Sequence, residues 1–151
     1  MSKMSTERAR IALNGPTMGT RWSALFFADR GRDTDAIRAA LQAAVDEVDK
    51  QMSTWNAESA LMRINAAPVD APRRPVQEGL EIEGRQVRKT APIALDLNGI
   101  AKGYGVDRLA ETLRDHGIAD ALVGIDGEMR AMGLRPDGAA WSIAGEAPDP
   151  D

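Results

Sequence analysis

Apolar and polar residues alternate with different periods along this chain, and these periods predict its strands and helices. Ile11 and Leu13 alternate with smaller or polar neighbours, and residues 22–28 are rich in strand-favouring aromatic side chains. This pattern predicts an antiparallel strand pair. The turn-forming residues 14–16 are expected to interrupt the first strand, and residues 16–20 to form the connecting loop.

Helical periodicity starts at Asp33 and runs to Met52. Apolar residues recur there at spacings of four, four, three and four, which is one face of a helix. Asp33 is expected to cap its N-terminus, where negative charge favours the helix dipole. Ser59 is expected to cap a short second helix. The recurring residues of the long helix are Ile37, Leu41, Val45, Val48 and Met52.

The middle of the chain changes character. Residues 66–75 hold three prolines, which is typical of a linker or exposed loop. Residues 80–87 predict a hairpin, and residues 93–97 predict a short buried strand. A loop beginning at Asn98 is then expected to lead into a helix that Gly117 ends in the left-handed conformation.

Three short strands are predicted after this helix, over residues 121–125, 129–132 and 141–144. An Asp-Gly pair at Asp126 separates the first two and is a strong hairpin signal. The last two are separated by the turn residues 136–138.

Together these elements predict one α/β domain of the α+β kind, with a mixed sheet and flanking helices. A chain of 151 residues has the size of one domain. The predicted domain spans residues 9–148 and contains an internal proline-rich bridge over 66–79. Residues 1–8 and 149–151 are expected to be flexible termini.

Composition excludes several kinds of chemistry. The chain has no cysteine, which excludes thiolate-bound metals, thiol nucleophiles and disulfides. A net charge of −4 without a basic block argues against a nucleic-acid partner. The sequence contains no apolar run long enough to span a membrane, and residues 1–10 are charged where a signal peptide is apolar. As written, the chain is expected to be cytoplasmic.

The lone histidine, His116, is expected to interact with the negative end of a helix dipole. Without a second histidine, a Ser–His–Asp triad elsewhere is excluded.

Three glycines at the predicted strand-to-helix junction are candidates for anion binding. Gly99, Gly103 and Gly105 lie where backbone N–H groups and a helix dipole hold phosphate, and Lys102 is within reach of such an anion. The spacing matches neither a Rossmann motif nor a P-loop. The alternative is that the glycines permit tight helix–sheet packing and that Lys102 is solvated.

Four carboxylates adjoin predicted strand ends or the glycine segment: Asp96, Asp107, Asp126 and Glu128. Oxygen ligands of this kind suit Mg²⁺ or Ca²⁺. The alternatives are a hairpin turn for Asp126 and a first-turn helix charge for Asp107.

Trp55 follows the long helix and is expected either to stack on a planar ligand ring at a rim or to pack in the core. By residue type alone, three methionines, a second tryptophan and a phenylalanine are expected in the core. They are Met18, Met52, Met62, Trp22 and Phe26.

Five segments together resemble the ApbE-type FAD:protein FMN transferases. The most specific is residues 95–107, LDLNGIAKGYGVD. The resemblance covers residues 9–65 and 80–148. The other segments are PTMGT at 16–20, MSTW at 52–55, ESALMRIN at 58–65 and GIDGEMRAMG at 124–133.

The resemblance implies a Mg²⁺-dependent transferase that splits FAD and attaches FMN through a phosphodiester to a threonine of a target flavoprotein. It implies that Met18 and Trp55 line the FAD site and that the Ala101 carbonyl is a metal ligand. It assigns no catalytic side chain in this chain. Members of the family are often exported or periplasmic lipoproteins. The further FAD-binding residues that it implies are Asn98, Gly99, Ala101, Lys102, Gly103 and Tyr104.

Two departures from the family bear on activity. Between Asn65 and Leu80 this chain has only the proline-rich bridge, where family members carry a long insertion, and the family segment that supplies metal-binding carboxylates has no counterpart after Trp141. We therefore expect the chain to bind FAD more readily than it cleaves it, with a homodimer as one way to complete the metal site. The alternative functions are a non-catalytic flavin-binding or regulatory paralogue and a purely structural partner protein.

Overall fold

The computed structural model describes residues 7–70 and 79–143. Both helices and strands are present, so the predicted α+β class is confirmed. Their order is β1 (Arg8–Thr17), β2 (Thr20–Asp29), α1 (Thr34–Met52), α2 (Ala60–Ala66), β3 (Leu80–Glu83), β4 (Gln86–Lys89), α3 (Asn98–Asp115), β5 (Ala121–Ile125) and β6 (Glu128–Met132).

The strands form a four-stranded sheet of order β1-β2-β5-β6 and a separate β3-β4 hairpin. The sequence predicted a mixed sheet, but each strand pairing in the described part of the chain is antiparallel. Tight turns join β1 to β2 and β5 to β6, which makes those pairs antiparallel. The long stretch containing α1 to α3 then returns the chain to β2 in the opposite direction.

The first hairpin is longer than predicted. Residues 14–16 do not interrupt β1, which continues to Thr17, and only Met18 and Gly19 form the turn, with φ of 45° and 73°. Pro16 is tolerated because β1 lies at the edge of the sheet, where a missing N–H group breaks no central hydrogen bond.

Both predicted helices of the first half are confirmed with their caps. The Asp33 side chain accepts a hydrogen bond from the Ala36 amide at the start of α1, and Ser59 accepts one from Met62 at the start of α2. These bonds satisfy amides that have no partner within the helix.

One face of the four-stranded sheet packs against α1 and α3 and forms the core. Trp22 and Phe26 lie fully buried there, as predicted, whereas Met18, Met52 and Met62 are only partly buried. The other core residues are Leu13, Ala24, Ile37, Leu41, Val45, Val106, Leu109, Ala110, Leu113, Ile118, Ala121, Val123, Ile125 and Met132.

The strand predicted over residues 93–97 is wrong. This segment belongs to no sheet, because its main chain pairs with a side chain. Asn65 Nδ2 donates to the Leu95 carbonyl at 2.8 Å, and the Leu95 amide donates to Asn65 Oδ1 at 2.7 Å. The apolar residues of this segment therefore belong to an irregular connection that Asn65 of α2 holds by its side chain.

Two further boundaries differ from the prediction. The expected loop at Asn98 is the first turn of α3, so the glycines of this segment lie inside a helix. Residues 141–143 form no strand. Trp141 contacts β6 through its side chain and not through strand pairing, since its indole donates to the Met132 carbonyl at 2.9 Å and packs near Phe27. Ala144 lies outside the described residues.

The hairpin at β3–β4 and the left-handed Gly117, with φ of 75°, are confirmed. Most of the proline-rich bridge and the terminal residues 1–6 and 144–151 lie outside the described residues. In the part of the chain that the structure describes, no helix is long and apolar enough to cross a membrane.

Candidate functional site

A cavity of about 330 Å³ lies where the β1–β2 turn, the end of α1, the start of α3 and the β5–β6 turn meet. Four segments distant in sequence thus contribute to one concave site. The lining residues are Met18, Gly19, Thr20, Met52, Ser53, Trp55, Asn98, Ala101, Lys102 and Asp126.

The β1–β2 turn is held in place by Gln42 of α1. The Trp22 indole donates to Gln42 Oε1 at 2.8 Å, and Gln42 Nε2 donates to the Pro16 carbonyl at 2.9 Å. A Cβ at Gly15 would lie 2.3 Å from Gln42 Oε1, so glycine is required for this contact. The turn therefore presents Met18 and its neighbours to the cavity from a fixed position.

Ser53 directs Trp55 outward at the end of α1. Its hydroxyl accepts hydrogen bonds from the amides of Trp55 and Asn56, at 3.1 and 3.2 Å. The Ser59 hydroxyl donates to the Ser53 carbonyl at 2.7 Å. These bonds turn the chain sharply and leave Trp55 86% exposed at the cavity rim. The core alternative for Trp55 is therefore wrong, and the ring lies at a rim, where stacking on a ligand stays a prediction.

The N-terminal end of α3 forms the opposite wall. The Asp96 carboxylate accepts a hydrogen bond from the Asn98 amide at 2.8 Å, and Asn98 lies within 3.4 Å of the Thr54 hydroxyl. Asn98 thus connects the start of α3 to the loop that carries Trp55.

The three glycines of α3 differ in whether they fit helix–sheet packing or an open, ligand-accessible surface. A Cβ at Gly105 would lie 2.8 Å from Ile125 Cδ1 and 3.3 Å from Met18 Cε, so Gly105 serves helix–sheet packing. A Cβ at Gly99 or Gly103 would meet nothing within 4 Å. These two positions leave the helix surface beside Lys102 open.

Lys102 and Asp126 carry opposite charges in the cavity lining, and they form an ion pair. The ammonium group of Lys102, by hydrogen bonding and by its charge, lowers the pKa of Asp126 below its ordinary value of 3.8. A hydrogen bond with Thr20 acts in the same direction. Asp126 is therefore ionised, and Lys102 is not merely solvated.

The donor set does not fit a magnesium ion. Ala101 can offer only its main-chain carbonyl, and its neighbour in the cavity, Asp126, is already paired with Lys102. In residues 7–70 and 79–143, no group of three or more His, Cys, Asp or Glu side chains is positioned to hold a metal. Mg²⁺ binds best with one or two anionic ligands, and this arrangement supplies no uncommitted one.

The remaining candidates lie elsewhere. Asp107 pairs with Arg130, and Nδ1 of His116 lies 2.9 Å from the Thr112 carbonyl oxygen, as expected for a helix C-terminus. Glu128 and Tyr104 are exposed and do not line the cavity. Gly99 and Gly103 are likewise absent from its lining. Of the predicted ligand-contacting residues, the structure brings together Met18, Trp55, Asn98, Ala101 and Lys102.

A second cleft of about 500 Å³ adjoins the first and shares with it Trp55 and residues 18–20, at the β1–β2 turn and the start of β2. Gln42, Asp46 and Asp49 of α1 line its far side. Thr17 also lines it, and the Thr17 hydroxyl is the one buried side-chain polar atom without a hydrogen-bond partner among the described residues. Trp55 therefore stands between two connected clefts.

Sequence reasoning misses Gly19, Thr20, Met52 and Ser53 as cavity residues. They lie in segments that carry the family resemblance, but Met52 has the period of the buried face of α1. The buried Ser53 gave no sign of its turn geometry. A serine directly after a helix and two residues before an aromatic is the signal that was available.

The architecture is shared with solved flavin transferases. It superposes on "Flavin Transferase ApbE from Vibrio cholerae" with a TM-score of 0.80 and 27% identity, covering 94% of this chain and 65% of that one. The apo flavinyl transferase ApbE of Pseudomonas stutzeri gives a TM-score of 0.80 at 26% identity, with 93% and 64% covered.

The chain belongs to the ApbE family, whose model matches residues 18–82 and 73–151. The FAD:protein FMN transferase of Vibrio cholerae is 29% identical over 201 aligned positions, covering 94% of this chain and 60% of the relative. That of Klebsiella pneumoniae is 26% identical, with 90% and 57% covered.

The chain thus spans about 60% of the length of the first of these relatives. The alignment of 201 positions is longer than the 151 residues of the chain, so the relative carries internal residues that this chain lacks. The two family matches meet at residues 73–82, in agreement with a shortened segment at the proline-rich bridge.

Proposed function

We propose that this chain binds FAD in the Trp55 cavity and transfers FMN from it to a threonine hydroxyl of a target flavoprotein, releasing AMP. The observation that carries the proposal is the 86% exposed indole of Trp55 beside a cavity that also contains a lysine. An exposed aromatic ring suits stacking on a planar ligand. The names of the family relatives supply the reaction.

The space at the site agrees with a ligand of this size. The two clefts measure about 330 and 500 Å³ and meet at Trp55. Their combined volume falls within the range of small-molecule sites. An isoalloxazine ring on Trp55 would leave the diphosphate near Lys102. A ligand that extends from there along α3 would cross the open positions Gly99 and Gly103 and approach Tyr104.

The proposed reaction is a phosphoryl transfer. The acceptor threonine oxygen forms a new bond to the FMN phosphorus, the bond from that phosphorus to the AMP oxygen breaks, and the hydroxyl proton is released. Catalysis of such a step depends mainly on positioning and on charge stabilisation. Lys102 is the cationic group available in the cavity. Magnesium dependence follows from the family resemblance alone, because the described donor set does not fit the ion.

The second candidate is a flavin-binding paralogue without turnover. The Lys102–Asp126 ion pair favours it, since Asp126 is the one acidic residue among the described residues that line the cavity, and it faces a lysine. A purely structural protein with an empty site is the third. These candidates differ in whether FAD binds and whether AMP is released.

The test begins with purified protein mixed with FAD, with visible flavin absorbance recorded after gel filtration. Retained yellow colour supports the first two candidates, and its absence supports the third. Incubation with FAD, Mg²⁺ and a threonine-containing acceptor protein then separates transfer from binding. AMP release together with covalent flavin on the acceptor supports the transferase, whereas binding without AMP release contradicts it.

We also propose that residues 9–148 form one domain with the bridge at 66–79. Limited proteolysis tests this, because cleavage within the bridge should leave two fragments that remain associated during gel filtration. Separation of the fragments would indicate two independent units. The same columns, run at several protein concentrations, test the proposed homodimer.

A further inference from the structure

Two ion pairs with opposite polarity connect α3 to the β5–β6 hairpin. In the first, the helix supplies the cation and the hairpin the anion, as Lys102 and Asp126. In the second, the helix supplies the anion Asp107 and the hairpin the cation Arg130. Only the first pair is part of the cavity lining. The two pairs have similar exposure, with side chains between 35% and 54% accessible.

The Asp126 carboxylate is held against Lys102 by the backbone. Asp126 lies in a left-handed conformation, with φ of 46°, at the two-residue turn between β5 and β6. Aspartate and asparagine tolerate this region better than other residues with a side chain. Thr20, the first residue of β2, also lowers the pKa of this carboxyl group. The anion therefore reaches Lys102 from a fixed point.

We propose that Asp126 occupies the place at Lys102 that a ligand phosphate takes, and that it thereby sets how strongly the cavity distinguishes phosphorylated flavins from riboflavin. This inference rests on the proposed flavin site. A lysine ammonium group binds carboxylate and phosphate oxygens through the same donors. Since both side chains are partly exposed, the carboxylate can be exchanged for phosphate at small cost.

The first test replaces the carboxylate by its neutral isostere, Asp126→Asn. Asparagine also tolerates the left-handed conformation, so the turn is preserved. The dissociation constants of FAD and FMN should fall about two- to fivefold, the range of exposed ion pairs. The dissociation constant of riboflavin, which has no phosphate, should not change. Flavin fluorescence titration measures all three.

The second test removes the cation. Lys102→Met should weaken FAD and FMN binding and leave riboflavin binding unchanged. In the Lys102→Met background, Asp126→Asn should no longer tighten binding, because the ammonium group for which carboxylate and phosphate compete is absent. If loss of the Asp126 charge acted only through the general field of the protein, the tightening would persist in this background, and that result would overturn the inference.

Asp107→Asn is the matched control, since it breaks the inverted ion pair between the same two elements. Circular dichroism and urea unfolding should change alike for Asp126→Asn and Asp107→Asn, whereas only Asp126→Asn should alter nucleotide binding. Equal tightening by both variants would contradict the inference.

The outcomes also separate this inference from the proposed function. FAD binding by the natural chain with an unchanged affinity in Asp126→Asn overturns the inference and leaves the flavin site standing. FAD binding by Asp126→Asn but not by the natural chain supports both. Failure of FAD to bind to either protein overturns both.

Discussion

Asn65 pairs with the main chain of Leu95 as a neighbouring strand would, through hydrogen bonds of 2.8 and 2.7 Å. The pair ties α2 to the extended segment that leads directly into α3. Because Asn98, Ala101 and Lys102 follow this segment within two turns of helix, the position of the cavity wall depends on an amide that lies outside the cavity.

Replacing Asn65 should therefore affect stability and FAD binding together. Asn65→Leu removes both hydrogen bonds and leaves the Leu95 groups without their partner, at a cost of about 1–3 kcal/mol. Asn65→Asp keeps the acceptor for the Leu95 amide but loses the donor, so it should lie between Leu and the natural residue. Urea unfolding measures the order. Equal stability of all three proteins would show that water replaces these bonds.

Trp55→Ala should weaken FAD binding without destabilising the fold. Stacking contributes about 0.5–1.5 kcal/mol beyond buried area, or about two- to twelvefold in the dissociation constant. Since Trp55 is 86% exposed, the midpoint of unfolding should not move. Trp55→Phe should retain part of the affinity.

Trp141→Ala is the control for Trp55, because Trp141 packs on Phe27 and donates to the Met132 carbonyl away from the cavity residues. This variant should lose stability and keep its affinity for FAD. The reverse pattern, with FAD affinity unchanged in Trp55→Ala, would remove Trp55 from the site.

Substitution by valine should reduce stability at Gly105 and reduce FAD binding at Gly103. A side chain at Gly105 meets Ile125 at 2.8 Å, and overpacking of this kind costs about 1–3 kcal/mol. At Gly103, where a Cβ meets nothing within 4 Å, valine should leave far-ultraviolet circular dichroism and stability nearly unchanged. We expect Gly103→Val to weaken FAD binding by covering the open surface beside Lys102. Unfolding of Gly103→Val would assign this glycine to packing instead.

The sequence predicts the elements with strong periodicity, and it misses those that depend on contacts between distant residues. The α1 helix follows from its apolar face and Asp33 cap, and the β5–β6 turn follows from Asp126-Gly127. The extended segment at Leu95 has the same local pattern as a strand, and only its pairing with Asn65 distinguishes the two. Local pattern cannot register such a partner.

The site shows the same division. The family resemblance implies that Met18, Trp55 and Lys102 belong to the FAD site, and all three line one cavity in the structure. That Lys102 is paired with Asp126 depends on the approach of α3 to the β5–β6 turn. Since 24 residues separate the two, no spacing rule for a single helix or hairpin indicates this contact.

Asp126 should titrate below the ordinary aspartate value of 3.8, because the hydrogen bond and charge of Lys102 favour its ionised form. Because folding lowers the pKa of Asp126, the ion pair stabilises the fold at pH values above the ordinary pKa of 3.8. That contribution is lost as the pH falls through the folded-state pKa. Carbon-detected NMR titration should show the pKa of Asp126 rising towards its ordinary value in Lys102→Met and remaining low in Asp107→Asn. An Asp126 pKa that does not respond to Lys102→Met would contradict the ion pair.

Binding of FAD and release of AMP should differ in their dependence on divalent cations. Lys102, Trp55 and the α3 surface can hold FAD without a metal, so the FAD dissociation constant should be the same in EDTA and in Mg²⁺. The described residues offer no cluster of acidic side chains to a metal, and Mg²⁺ gives up its water reluctantly without such ligands. AMP release should therefore require millimolar Mg²⁺, or rise with protein concentration if a second copy lends a carboxylate. Rapid AMP release by a monomer at micromolar Mg²⁺ would show that the chain completes a metal site by itself.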